Sequence, residues 1–411
     1  MSNLLLVLAL LGQAPAAQPT TPDSCVKAAR DFVLTQQRAL PKVTTEAIRQ
    51  IETSKIAMAR ACAEQFAPAT VPDAQLPALI ALYGEADQPL LAQTTIERAL
   101  TAKSTPPLIR AEVLAQSVTS GLRAPKSAAR NAKLERYVDD LDALASRHEA
   151  LLDIAVGTHS RMNAYYRVDD IDDGIIKHST WLITRARTFT PAQRTQYGSH
   201  IVSAHINMAE ALAGRGKTKE ATSLLASARS NWSDVRNAAA MLDPVIARYA
   251  LVGTVGAPIT APRWLNAPPN TTMPMTGAVS LLEFTAHWCL PCKESYPGLK
   301  RLLAKYSSQG FRVVMATELY GYFGMERPLT AEDEFERDRK YFEDEGLDVP
   351  IAVGNLRTSV DNPNDAAYKV GGIPQIHLID RQGRIRLIMV GYDDANEGYL
   401  ESLIVQLLRE K

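Results

Sequence analysis

Val279-Ser280-Leu281-Leu282-Glu283-Phe284-Thr285-Ala286-His287-Trp288-Cys289-Leu290-Pro291-Cys292 decides the fold. The run Ala278 to Ala286 reads as a β-strand, and a helical pattern follows the second cysteine. Two cysteines with two residues between them, at the start of a helix, can close a small disulfide and reopen it. The helix N-terminus carries partial positive charge, which favours thiolate at the first cysteine. A thiolate attacks another disulfide through a mixed-disulfide intermediate, and the second cysteine then resolves it. Two plainer readings compete. Half of a zinc site is one, but structural zinc takes four ligands. The other cysteines, Cys25 and Cys62, lie far upstream, and His287 alone does not complete a site. A merely structural disulfide is the other. The order strand, Trp-Cys-x-x-Cys, helix favours redox chemistry over both.

Residues from about Pro258 to Lys411 resemble the thioredoxin superfamily, and within it the extracytoplasmic TlpA/ResA-like thiol–disulfide oxidoreductases. Four stretches carry the resemblance: Val279 to Ala286 as the central strand, Trp288 to Cys292 as the redox motif, Gly371-Gly372-Ile373-Pro374 as the cis-proline loop, and Ile376 to Ile385 as the strand–turn–strand hairpin after it. The resemblance implies Cys289 as attacking thiol and Cys292 as resolving thiol, with Trp288 and Pro291 supporting them. It also implies that the backbone of Ile373, before Pro374, pairs with an extended substrate like an added strand.

Two positions depart from the family. The glutamate that TlpA-like proteins commonly carry three residues after the second cysteine is Ser295 here, and Glu294 sits one step earlier. One step on a helix is a rotation of about 100°, so Glu294 does not take over that place. Glu283 instead matches the buried acid of ordinary thioredoxins. Burial there would raise its pKa and let it relay a proton to the resolving cysteine; a water-facing glutamate at the sheet edge is the alternative. The second departure is a Tyr/Gly-rich insert, Tyr320-Gly321-Tyr322-Phe323-Gly324, between the strand Phe311–Thr317 and a helix near Glu332–Glu345. It reads as a loop on the active-site side.

The 411 residues carry no net formal charge and no long basic run, which argues against nucleic-acid binding. Leu4 to Leu11 is an apolar run too short to span a bilayer, followed by Ala14-Pro15-Ala16-Ala17. Residues 1–17 therefore read as a signal peptide cut near Ala16 or Ala17. The n-region lacks Lys and Arg, so an upstream start or an uncleaved anchor is the alternative. Export predicts a periplasmic or otherwise extracytoplasmic protein with no stable membrane span after cleavage. Cys25 and Cys62 fit that compartment. They fall on two predicted helices, Asp23 to Leu40 and Thr44 or Thr45 to about Phe66, equidistant from the turn after Pro41. An antiparallel hairpin would bring them level as a structural disulfide; two buried free thiols are the alternative.

Residues from about 22 to 250 read as all-α, rich in Ala, Leu, Gln and Arg, with breaks at Pro41-Lys42, Pro68 to Pro72, Pro106-Pro107, Gly121 to Pro125 and Pro191. His205 to Trp232 resembles a tetratricopeptide repeat, with Ala209, Leu212, Ala221, Leu225 and Ala228 at its packing positions and Gly216 between the helices. An irregular helical bundle is the competing architecture. Asp169, Asp170, Asp172 and Asp173 read as a solvated helix start. The histidines at 148, 159, 178, 200 and 205 share no helical face, and no metal is assigned.

The fold class expected is therefore multidomain: a signal peptide (1–17), an all-α region (18–252), and a linker with an α/β thioredoxin-like domain (253–411). The function expected is extracytoplasmic thiol–disulfide exchange on protein thiols or disulfides, as a reductase or isomerase. A redox partner recharges the cysteines, the helices dock substrates or partners, and no cofactor is needed beyond the Cys289–Cys292 pair. A non-enzymatic adaptor built on the helices is the alternative; intact Cys289, Cys292 and Pro374 weigh against it.

Overall fold

The computed structural model describes residues 21–40, 44–102, 104–168, 171–357, 362–392 and 394–410. The predicted signal peptide and the residues Asp169 and Asp170 lie outside them. Among the described residues, no helix is long and apolar enough to cross a membrane.

The described residues form two compact units that part between Leu151 and Leu152. The first holds α1 (Pro22–Ala39), α2 (Thr45–Ala63), α3 (Leu76–Glu85), α4 (Pro89–Thr101), α5 (Pro107–Gly121) and α6 (Ala128–Ala145). Pro stands first or second in four of these helices, where its missing N–H costs nothing. Thr21 caps α1 through a reciprocal exchange with Ser24. Cys25 on α1 and Cys62 on α2 are joined, with Cα atoms 6.2 Å apart, in a cluster with Ala29, Ala59, Leu79 and Tyr83. Glu85 is buried nearby among Arg30, Lys55 and Arg123, at 2.9–3.1 Å. Burial pushes its carboxyl up, but the three cations outweigh that and bring it down to about 2.

The second unit begins with helices. α7 (Leu152–Val168), α8 (Asp172–Arg185), α9 (Pro191–Gly214), α10 (Thr218–Asn231) and α11 (Ala238–Tyr249) each pack on the next. The strands are β1 (Ile259–Thr260), β2 (Arg263–Leu265), β3 (Thr272–Met273), β4 (Val279–Phe284), β5 (Phe311–Leu319), β6 (Ile351–Leu356), β7 (Gln375–Ile379) and β8 (Ile385–Val390). The helices among them are α12 (Leu290–Tyr306), α13 (Ala331–Asp344), α14 (Pro363–Tyr368) and α15 (Asp394–Arg409). Six strands form one sheet in the order β2-β6-β5-β4-β7-β8. β4, β5 and β6 run parallel, and the others are antiparallel to their neighbours.

Side-chain alternation along β4 sorts the two faces. Leu281 packs with Tyr296, Leu299 and Leu302 of α12 and with Leu400 and Leu407 of α15. Leu282 and Phe284 point the other way. That face is covered by Tyr368 of the short α14, and by Val202 and Ala209 of α9 with Leu242, Val245 and Tyr249 of α11. The helices from 152 to 249 are thus a layer of the α/β unit. The expected domain boundary at 252/253 is corrected on this ground: one core runs across it, and the division at Leu151 has no composition signal. Asp172 and Asp173 stand in the first turn of α8, as a helix start requires, and Asp173 is exposed; Asp172 departs from the expectation, being buried against Arg215 at 3.3 Å, while Asp173 meets the same guanidinium at 2.8 Å. His159 and His178, on α7 and α8, come together across helices with Nδ1 atoms 2.9 Å apart.

Candidate active site

β4 lies inside the sheet, so the turn that follows it is anchored on both sides. Thr285 N–H donates to Ala316 O at 2.9 Å, and Cys289 N–H to Ala286 O at 3.0 Å. Cys289 is the N-cap of α12, and its Sγ accepts the N–H of Cys292 at 3.2 Å. Pro291 sits in the first turn, where helices tolerate it. The two sulfurs are bonded, with Cα atoms 5.2 Å apart. Trp288 and Leu290 flank Cys289 with 43% and 68% of their surface exposed. In the closed disulfide Cys289 is 3% exposed and Cys292 is fully buried. Both cysteines share a buried cluster with Ala286 and Tyr296.

Glu283 is completely buried, on the sheet face that looks at α12. Desolvation raises its carboxyl to about 8, against the opposing effect of a hydrogen bond from Ser295. Ser295 Oγ lies 3.0 and 3.1 Å from the two Glu283 oxygens and 2.7 Å from Cys292 O. A hydroxyl has one proton. While Glu283 is protonated, its O–H donates to Ser295 Oγ and Ser295 donates to Cys292 O. Once Glu283 ionises, Ser295 turns to donate to it. Ser295 thus links the buried acid to the backbone of Cys292.

This arrangement sets a pH dependence. Glu283→Gln should slow resolution of the mixed disulfide by about 100-fold, the low end of what a positioned base supplies. It should also remove the rise in rate expected of the wild type as pH passes about 8, where the carboxylate forms. The folded state favours the protonated acid. Its contribution to stability is therefore full below 4.5 and is lost as pH rises to about 8. The Gln variant should melt higher than wild type at pH 8 and match it at pH 4, read by calorimetry and stopped-flow exchange; identical pH profiles would return Glu283 to a packing role.

Ile373–Pro374 is a cis peptide, and Ile373 packs against both faces of the sheet core. The residues just before it are held from the helical layer. Arg248, on α11, is 3% exposed; its Nε donates to Lys369 O at 3.0 Å and its Nη1 to Glu210 Oε1 at 2.6 Å. Glu210 Oε2 pairs with Arg167 at 2.8 Å, and Arg167 also donates to Asn207. A Cβ at position 371 would fall 2.0 Å from Arg248 Nη2, which is why glycine stands there. Gly371 N–H donates to Gln375 Oε1, and Gln375 Nε2 donates to Tyr368 O. Sequence reasoning missed Arg248, Glu210 and Arg167. Their only trace was a set of charged residues in an otherwise Ala/Leu-rich helical pattern.

The Tyr/Gly-rich insert does lie beside the redox turn. Phe323 stacks on His287 with centroids 4.7 Å apart, and Tyr320 meets Trp288 edge-on at 5.3 Å. His287, read from sequence as an isolated histidine, faces Asp338 and Glu334 of α13.

No family model matches the chain. It is 30% identical over 124 residues to the thiol-disulfide oxidoreductase ResA of Geobacillus kaustophilus, a match that covers 30% of this chain and 61% of the relative. It is 28% identical over 151 residues to the protein DipZ of Mycobacterium tuberculosis, covering 36% of this chain and 19% of that protein. The chain thus spans less than two thirds of these relatives. Among solved structures, a thioredoxin-family thiol:disulfide interchange protein of Chlorobium tepidum shares 16% identity, with a TM-score of 0.29, over 38% of this chain and 97% of that one. StoA of Bacillus subtilis shares 18% at a TM-score of 0.28, over 36% of this chain and 98% of StoA. Over the matched stretch the second unit, with its Cys289–Cys292 disulfide, is thus similar in sequence to thiol-disulfide oxidoreductases.

Proposed function

We propose that the chain is an extracytoplasmic thiol–disulfide oxidoreductase that reduces or isomerises disulfides of proteins. The observation that carries this reading is the placement of Cys289 as N-cap of α12, bonded to a buried Cys292. In the reduced protein the Cys289 thiolate attacks a substrate disulfide, forming a mixed disulfide and releasing one substrate thiolate. Cys292 gives up its proton, attacks Cys289 Sγ and releases the second substrate thiolate. Two electrons pass to the substrate, and a dithiol partner must return them. The joined Cys25 and Cys62 support an oxidising compartment.

The helices support docking. Arg167, which pairs with the residue holding Arg248, also lines a cleft of about 530 Å³ with Ser160, Asn163, His200, Ser203 and Asn207. A client segment paired on Ile373 would continue toward it. The buried Ala209, Ala221 and Ala228 support a tetratricopeptide-like reading of α9 and α10. The test is dithiothreitol-driven reduction of insulin, followed by turbidity. The full chain should shorten the lag; no acceleration by correctly folded chain would contradict the reading.

A further inference from the structure

Two residues before Cys289 the chain buries the side chain of His287, which meets the buried Asp338 of α13. His287 Nδ1 lies 3.0 Å from Asp338 Oδ1, with side chains 2% and 1% exposed. Yet neither ring nitrogen and neither carboxylate oxygen has a partner in hydrogen-bonding direction. Buried polar atoms without partners call for an explanation, and an ion is one of the few available. Two polar atoms that approach closely without aiming a proton at each other are placed as ligands of one cation are. With bonds of about 2.0–2.2 Å to an ion, neighbouring ligand atoms stand roughly 3 Å apart.

Glu334 supplies a third donor. One donor atom each from His287, Glu334 and Asp338 lie within 4.8 Å of one another. Glu334 and Asp338 are four residues apart on α13 and so share a face. The Glu334 oxygens accept the backbone N–H groups of Tyr320 at 2.7 Å and Gly321 at 2.6 Å, the kind of outer hydrogen bond that orients a ligating carboxylate. Among the described residues, no Lys or Arg pairs with either acid. Two carboxylates and an imidazole stand here away from water, where unbalanced carboxylate charge is costly. A divalent cation balances that charge. Phe323, Tyr322 and Tyr320 wall the imidazole at centroid distances of 4.7, 5.5 and 6.1 Å.

We propose that His287, Glu334 and Asp338 bind one divalent transition cation of the zinc type, which clamps the Tyr320–Gly324 insert and α13 to the turn that carries the redox cysteines. An imidazole and two carboxylates suit Zn²⁺ or Mn²⁺ better than a soft ion, and leave a fourth position for water. The site contains no thiolate. It therefore holds its ion whether the Cys289–Cys292 bridge is open or closed.

That last property shapes the test. A reduced Cys-x-x-Cys captures zinc by itself, so the full chain is used with both disulfides closed. It is stripped with EDTA and titrated with Zn²⁺ against a chromophoric chelator, with bound zinc counted by elemental analysis. One ion per chain is expected. Asp338→Asn and Glu334→Gln should each weaken binding by about 100-fold or more, and zinc should protect the 320–327 segment from limited proteolysis. An oxidised wild-type chain that takes up no stoichiometric zinc or manganese overturns the proposal, as does either variant binding with wild-type affinity. Should a variant lose its native circular dichroism, the wild-type stoichiometry decides alone.

Discussion

A Cys292→Ser chain should accumulate as mixed disulfides with client proteins, all of them through Cys289. The reason lies in where α12 begins. Cys289 takes the N-cap position, faces the helix N-terminus and already accepts the Cys292 N–H at its sulfur. Those features stabilise negative charge on that sulfur. Cys292 is one turn in and fully buried, so its sulfur reaches only Cys289. Without Cys292, the intermediate has no internal thiol to resolve it. Non-reducing gels and mass spectrometry should show adducts on Cys292→Ser and none on Cys289→Ser. Adducts on Cys289→Ser alone would reverse the two roles.

A chain starting at Gly253 should fail to fold as a stable domain, whereas one starting at Leu152 should be soluble and keep thiol exchange. The sheet needs cover on both faces. α12, α13 and α15 cover one. The other relies on the six-residue α14 and on α9 and α11. Cutting at 253 uncovers Leu282, Ile379, Ile385 and Ile388, and each such side chain loses about 1.5–3 kcal/mol of burial. It also removes Arg248 from Lys369. Within the intact chain, Arg248→Ala leaves Glu210 buried without that partner and should cost about 3–5 kcal/mol. Solubility, circular dichroism and denaturant unfolding read both results. A Gly253 fragment as stable as the Leu152 fragment would show that the helices are dispensable to the core.

The thioredoxin-like half was legible because its signals are contiguous. β4, the cysteines and the start of α12 occupy one stretch, and the apolar neighbours of Glu283 foretold its burial. Gly371 was legible as part of the cis-proline loop, but the Arg248 that packs on it was not. Arg248 reaches Lys369 across 121 residues, a separation no local pattern encodes. The division at Leu151 was hidden for a similar reason. Helices on both sides of it share composition and period, and only the sheet face decides which belong together. His287 looked solitary because its partners lie about fifty residues on, at i and i+4 of α13. An acidic pair at that spacing after an aromatic insert was the one available hint.

The most direct test of the central claim is the reduction potential of the Cys289–Cys292 bridge. It should be measured by equilibration in graded dithiothreitol and mass spectrometry of alkylated peptides. The Cys25–Cys62 bridge serves as an internal reference in the same spectra. The account predicts that Cys289–Cys292 opens first, at a potential between about −120 and −270 mV, the range of thiol-exchange proteins. Cys25–Cys62 should open only at much stronger reductant. A Cys289–Cys292 potential below about −300 mV, in the range of structural disulfides, would contradict a redox role for this pair.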